Sequence, residues 1–328
     1  MEKRGWSAHD SPRVEPGDAM NATNSARNKI AVTVMALVLG MASQLAGAQT
    51  FKHVPVQKNV KIAQIASGGM SAWALATNGH PYIYKSGKFA LANPISLTQI
   101  AVGGGNLRQA DAVWGLDSSG FVYKASKSGT SWVFSQIPGV LSSIAVGIGY
   151  QDSCHPYEVW GVSPISEIFR YDFCLQGFVQ APGALLSVSV GGGNVWGYSG
   201  VAQLFRFDFS QQSFQQIGQF GEIEQLTVGP SEVFASVNGG YLYGIISYQG
   251  VHGLQYFSGY IWGGLKELKA GGDGVWGIDS GHLVGRLDPG LAQLVVVQGA
   301  QLASISVGSG AGVWGIDSNG QVFAFSTP

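Results

Sequence analysis

Short apolar runs that end in glycine recur along this chain at intervals of about 40 residues. They are Ile65-Ala66-Ser67-Gly68, Ile100-Ala101-Val102-Gly103, Ile144-Ala145-Val146-Gly147, Val188-Ser189-Val190-Gly191, Leu226-Thr227-Val228-Gly229, Leu268-Lys269-Ala270-Gly271 and Ile305-Ser306-Val307-Gly308. Each leads into a second apolar run centred on an aromatic residue: Trp73, Trp114, Trp160, Trp196, Phe234, Trp276 or Trp314. A third run alternates apolar and polar positions, as in Ile168-Phe169-Arg170-Tyr171 and Leu204-Phe205-Arg206-Phe207. Alternation over so few residues predicts strands rather than helices. A looser fourth strand follows, and Pro138 and Pro182 near its end suit an outer edge where no ladder bond is lost.

A period of this length built only of short strands predicts an all-β propeller, not a helical array. Counting the copies gives about seven four-stranded blades, with six as the alternative count because the fifth copy lacks the Trp. The seventh copy reaches Pro328 after three strands, while Phe51-Lys52-His53-Val54-Pro55 reads as an orphan strand. The expectation is a ring closed by this N-terminal strand.

Composition changes the picture at the front of the chain. Only 11% of the 328 residues are charged, the formal net charge is −1, and 49 residues are glycine. No basic arm or patch interrupts this, so nucleic acid is not an expected partner. Residues 1 to 48 read as a polar extension followed by a signal peptide. Arg27-Asn28-Lys29 precedes the apolar run 30 to 41, and the end is Ala46-Gly47-Ala48. The run is short of the ~20 residues of a membrane span, which favours a cleaved signal over the alternative of an uncleaved anchor, so the mature chain, residues 49 to 328, is expected to have no transmembrane segment. The protein is therefore expected to be secreted, in an extracellular or periplasmic setting. There an even pair of cysteines, Cys154 and Cys174, predicts a disulfide.

The unit Val313-Trp314-Gly315-Ile316-Asp317-Ser318-Asn319-Gly320, followed by Gln321-Val322-Phe323, resembles the tectonin repeat. The first copy, with Ile65-Ala66-Ser67-Gly68-Gly69 and Trp73-Ala74-Leu75, has a weaker similarity to regulator-of-chromosome-condensation repeats. The first resemblance implies a lectin that binds glycans or lipopolysaccharide; the second implies a protein-binding propeller.

Candidate chemistry follows from the repeats and from departures from them. Trp73, Trp114, Trp160, Trp196, Trp276 and Trp314 are either core residues between blades or platforms on which a sugar ring stacks. Asp117, Asp279 and Asp317 either shape their turns or hold sugar hydroxyls. The loops after the opening strands of the second and third copies are long, which marks Arg108, Asp111, Tyr150 and Tyr157 as recognition-loop candidates. Cys154 and Cys174 fall on loops of one rim of the third blade. The five histidines after residue 48 are scattered, with no metal-ligand pair, nucleophile elbow or carboxylate pair. No catalytic residue, metal or cofactor is therefore expected. The sequence reading is a carbohydrate-binding protein without enzymatic activity. The alternative is a protein-interaction propeller that uses the long loops of blades 2 and 3.

Overall fold

The computed structural model describes residues 50–104, 110–219, 221–230, 233–248, 251–257, 264–288 and 293–326. The extension and signal assigned to residues 1 to 48, and the candidate Arg108, lie outside the described residues. The described residues form strands and turns only. None of their segments is a helix long and apolar enough to cross a membrane.

The strands assemble into seven four-stranded antiparallel sheets in a β-propeller arrangement. Six are runs of consecutive strands, beginning with Ile62–Ser67, Gln99–Gly103, Ser143–Gly147, Ser187–Gly191, Ile223–Val228 and Leu265–Gly271. They are called here the first to sixth sheets. The seventh begins with Ser304–Val307 and contains both ends of the domain. Its outer strand is Thr50–Val54, which pairs antiparallel with Val322–Ser326 from Thr50 opposite Ser326 to Val54 opposite Val322.

Every aromatic centre sits on the second strand of its sheet, and the core forms between sheets. Trp73 packs with Leu97, Ile100 and Val113 of the second sheet and its entry. Trp114 packs with Ile144 and Val159 of the third, and Trp160 with Val188 and Val195 of the fourth. Trp196 meets Ile223 and Val233, Trp276 meets Ile305 and Val313, and Trp314 meets Ile62 and Ala72. Burial of one such side chain removes about 150–250 Å² from water. At about 25 cal/mol per Å², that contributes roughly 4–6 kcal/mol as an upper bound. The indole therefore glues six of the sheets to the next, and Phe234 takes its place in the fifth.

Two further devices fix this spacing. Glycine ends the opening strands because the inner strands approach each other there. A Cβ on Gly103 would strike the Val146 carbonyl, and one on Gly191 would strike that of Val228. Side-chain amides then bridge neighbouring opening strands. Gln64 accepts from the Ile100 N–H at 2.9 Å and donates to the Ile100 carbonyl at 3.1 Å. Gln99 does the same to Ile144, and Gln225 bridges to Leu268 and Lys266. In the sixth sheet a carboxylate takes this place: Glu267 accepts from the Ile305 N–H at 3.0 Å.

Candidate functional site

The repeated tryptophans are core residues. Trp73, Trp114, Trp160 and Trp276 are fully buried, Trp196 is 3% exposed and Trp314 6% exposed. The reading of these six indoles as open stacking platforms is corrected accordingly: neighbouring rings cover their faces. Trp114 meets Tyr171 edge-on at 4.7 Å, Trp160 meets Phe207 at 4.7 Å, and Trp276 meets Phe325 at 4.8 Å. The physical reason is the sheet-to-sheet gap, which only a large apolar side chain fills.

The turn acids shape turns. Asp117 Oδ1 accepts from the Ser119 and Phe121 N–H groups, and Asp317 Oδ1 accepts from those of Asn319 and Gln321. Asp279 does the same with Gly281 and Leu283, and its buried Oδ2 has no hydrogen-bond partner among the described residues. All three sit at the rim opposite the long loops, away from the other candidates.

On the long-loop rim, Asp111 reaches across to the first sheet. Its carboxylate accepts from the N–H groups of Gly69, Met70 and Ser71 at 2.6–2.9 Å, and from the Ser71 hydroxyl at 2.7 Å. It thus clamps a neighbour's turn. Tyr157 packs edge-on against Phe173 at 4.7 Å, and its hydroxyl lies beside the Trp114 indole. Burial pushes that phenol up to about 12. Tyr150 remains 56% exposed and stacks on Phe209 of the fourth sheet at 5.2 Å.

Cys154 and Cys174 form a disulfide with Cα atoms 5.1 Å apart. It ties the loop before Glu158–Val162 to the turn after Glu167–Asp172 within the third sheet. The Asp152 carboxylate accepts from the Cys154 N–H at 2.8 Å and lies 2.9 Å from His155 Nδ1. Burial alone would push the Asp152 carboxyl up, but these hydrogen bonds and the His155 charge bring it below its ordinary value. Among the described residues, the one group with metal-ligand spacing is Cys154, Asp172 and Cys174, and its two sulfurs are spent in the disulfide.

One group of residues escaped the sequence reading. A cation on the third strand lies directly opposite the Trp of the second strand in four sheets: Lys124 opposite Trp114, Arg170 opposite Trp160, Arg206 opposite Trp196 and Arg286 opposite Trp276. The charged end sits over the indole, at 5.6–6.0 Å from its centroid. This is a cation–π arrangement. The signal was present as a constant spacing from these four tryptophans to a Lys or Arg, whereas Trp73 and Trp314 face Ile83 and Ala324.

What completes each cation differs. In the third sheet, fully buried Glu158 accepts from Arg170 Nε at 2.8 Å, from Nη2 at 2.6 Å and from Trp160 Nε1 at 2.7 Å. In the fourth, the Asn194 amide oxygen accepts from Arg206 Nε and Nη2 at 3.1 and 2.7 Å. In the sixth, the matching residue is Gly274, and in the second it is Ala112. Burial lowers the Lys124 ammonium from its ordinary value.

Between the third and fourth sheets, the same rim holds a cleft of about 190 Å³. Its lining includes His155, Arg170, Asp172, Gln180, Phe207 and Gln212. A second recess, of about 150 Å³, lies at the centre where the opening strands end, walled by glycines and valines such as Gly103, Val146 and Val190. The first offers hydrogen-bonding groups beside aromatic carbon; the second offers mainly backbone and methyl groups. The first is the better receptor for a hydroxylated molecule.

Sheets that pack through buried tryptophans and loops gathered on one rim define an all-β propeller of the repeat type. The chain belongs to the tectonin domain family, whose model matches residues 41–213 and 184–327. No curated protein matches the chain. Among solved structures, yeast RCC1 (Prp20) bound to Kap60 is similar, with TM-score 0.58, 9% identity and coverage of 81% of this chain and 80% of that one. YCF48 bound to D1 peptide gives TM-score 0.61 at 13% identity over 86% of this chain and 98% of that one. Human WBSCR16 gives 0.58 at 9% identity over 83% and 89%. At such identities the likeness shows the fold alone.

Proposed function

We propose that this protein is an exported lectin, a propeller that binds glycan or lipopolysaccharide without chemical turnover. The observation that carries the reading is the cleft between the third and fourth sheets. It presents the His155 ring and the amides of Gln180 and Gln212 beside Phe207, at a size suited to one sugar ring. The disulfide and the Glu158–Arg170 pair hold its walls in place before a ligand arrives, which lowers the ordering cost of binding. Membership of the tectonin family supports the same reading.

A glycan array that includes methylated sugars and bacterial polysaccharides tests it. The expected result is a selective hit whose affinity falls when Gln180 and Gln212 are changed to Ala. A blank array on folded protein would refute it. The second reading, a protein-binding rim, has its own support in the exposure of Tyr150 and Leu175 beside the disulfide. Two of the similar structures carry protein or peptide partners. Under that reading, Tyr150→Ala with Leu175→Ser abolishes binding while the Gln variants leave it intact.

A further inference from the structure

The four cations over tryptophan share one strand register, and the third sheet shows what that geometry accepts. Glu158 closes on Arg170 through both edge nitrogens and takes the Trp160 indole N–H as well. A carboxylate is thus the natural third partner of the pair. The planar guanidinium fork matches two carboxylate oxygens, and stacking on an indole holds the fork in place.

In the sixth sheet the same pair stands without that partner. Arg286 Cζ lies 5.6 Å from the Trp276 centroid, against 5.7 Å for Arg170 over Trp160. Where Glu158 stands, the chain has Gly274, with φ of 94°. A Cβ built there would meet nothing nearer than Arg286 Nε at 3.8 Å. Among the described residues the space next to Gly274 beside the fork is therefore open, and the left-handed backbone there disfavours any residue with a side chain. Among the described residues, ion pairs form at Arg170, His155 and Lys269, and none closes on Arg286.

We propose that Arg286 receives the acidic group of a saccharide at its guanidinium fork, as Arg170 receives Glu158, while the Trp276 N–H stays on the Asp273 carbonyl at 3.1 Å. The ligand class is an acidic sugar, whose oxyanion comes from a uronic-acid carboxylate or from a phosphate ester. The proposal rests on the carbohydrate-binding reading and adds to it a site and a charge preference. Lys124, beside Ala112, is a lesser version of the same seat on the same rim, whereas the Asn194 amide already fills the fork of Arg206. More than one weak seat on one ring favours a repeating acidic polymer over a single sugar.

The test is calorimetric titration of the full chain with an oligogalacturonate, with the same oligomer after reduction of its carboxyl groups, and with inorganic phosphate. The expected result is a preference of at least about tenfold for the acidic oligomer, since charge-assisted bidentate bonds are lost on reduction. Arg286→Gln removes that preference, and Arg286→Lys, which keeps charge but not the fork, removes part of it. Unchanged melting temperatures show that both variants fold. A folded Arg286→Gln protein that keeps the full preference overturns the proposal. Equal binding of acidic and reduced oligomers also overturns it while leaving the lectin reading intact. Phosphate binding that depends on Arg286, with no binding of either oligomer, overturns the proposal of a saccharide seat and leaves the lectin reading to the glycan array. Phosphate that displaces the oligogalacturonate only when Arg286 is present supports one oxyanion seat shared by carboxylate and phosphate.

Discussion

The third and sixth sheets carry the same tryptophan and arginine in the same register, yet one is sealed and the other open. In the third, Glu158 is fully buried and satisfies Arg170 and Trp160 together. A disulfide pins the loops above, and Tyr150 reaches over to the fourth sheet. In the sixth, Gly274 leaves the arginine edge uncovered among the described residues, and the Trp276 indole turns to the Asp273 carbonyl at 3.1 Å. The difference teaches that the repeat supplies a cation on an aromatic face by default. Whether the chain itself closes on that cation depends on one residue at the start of the second strand.

The largest expected effect comes from breaking the sealed version. Glu158→Ala leaves Arg170 buried without its partner, and denaturant unfolding should show a loss of about 3–5 kcal/mol. Arg286→Gln should cost only about 0.5–1 kcal/mol, the worth of its contact with the Trp276 face, because no ion-pair partner among the described residues is orphaned. Equal losses would erase the contrast between the sheets. Next, replacing both Cys154 and Cys174 by Ser should cost about 3 kcal/mol in the chain-entropy account, given a separation of 20 residues. That loss should be accompanied by weaker glycan binding at the cleft. A smaller effect, about 1–2 kcal/mol, is expected of Asp111→Ala, which strands the three amide donors of the 69–71 turn where water can partly replace the carboxylate.

A further small effect, opposite in sign, concerns the sixth sheet itself. Burial pushes the Glu267 carboxyl up, and the Ile305 N–H and Lys269 only partly offset it. A raised acid favours its protonated form in the folded state. Its contribution is therefore full below the unfolded value and is lost as pH rises through the folded one. Glu267→Gln, which copies Gln225 of the preceding sheet, should gain up to about 1 kcal/mol at pH 7. The advantage should shrink as the pH is lowered toward the carboxylate range. A variant advantage that does not change with pH would show that ionisation of Glu267 is not what limits this position.

Much of this architecture was legible in the sequence because its causes are local and repeated. Val-Trp-Gly followed by a polar turn writes two strands, and a glycine after each opening strand marks where inner strands crowd. The pairing of Cys154 with Cys174 followed from their places on one rim. The burial of the tryptophans was one of two readings, because the pattern of a strand does not say how close the next sheet stands. The arginines were overlooked for a related reason. Arg170 and Arg206 lie among apolar residues on a third strand, and only the cross-strand register shows that each sits on an indole. Asp111 was read as a recognition residue, whereas its carboxylate is spent on a neighbour's turn. Contacts between copies of a repeat are invisible when each copy is read alone.

The most direct test of the account asks whether an external carboxylate can take the place of Glu158. The melting temperature of Glu158→Ala is measured with increasing acetate, beside the parent protein and a chloride control of equal ionic strength. Binding to the folded state alone should raise the melting temperature as acetate fills the vacated place. The account predicts a rise in the variant that clearly exceeds that of the parent. Parallel curves for the two proteins would contradict it, because the seat beside arginine and tryptophan would then accept no acid that the chain does not itself supply.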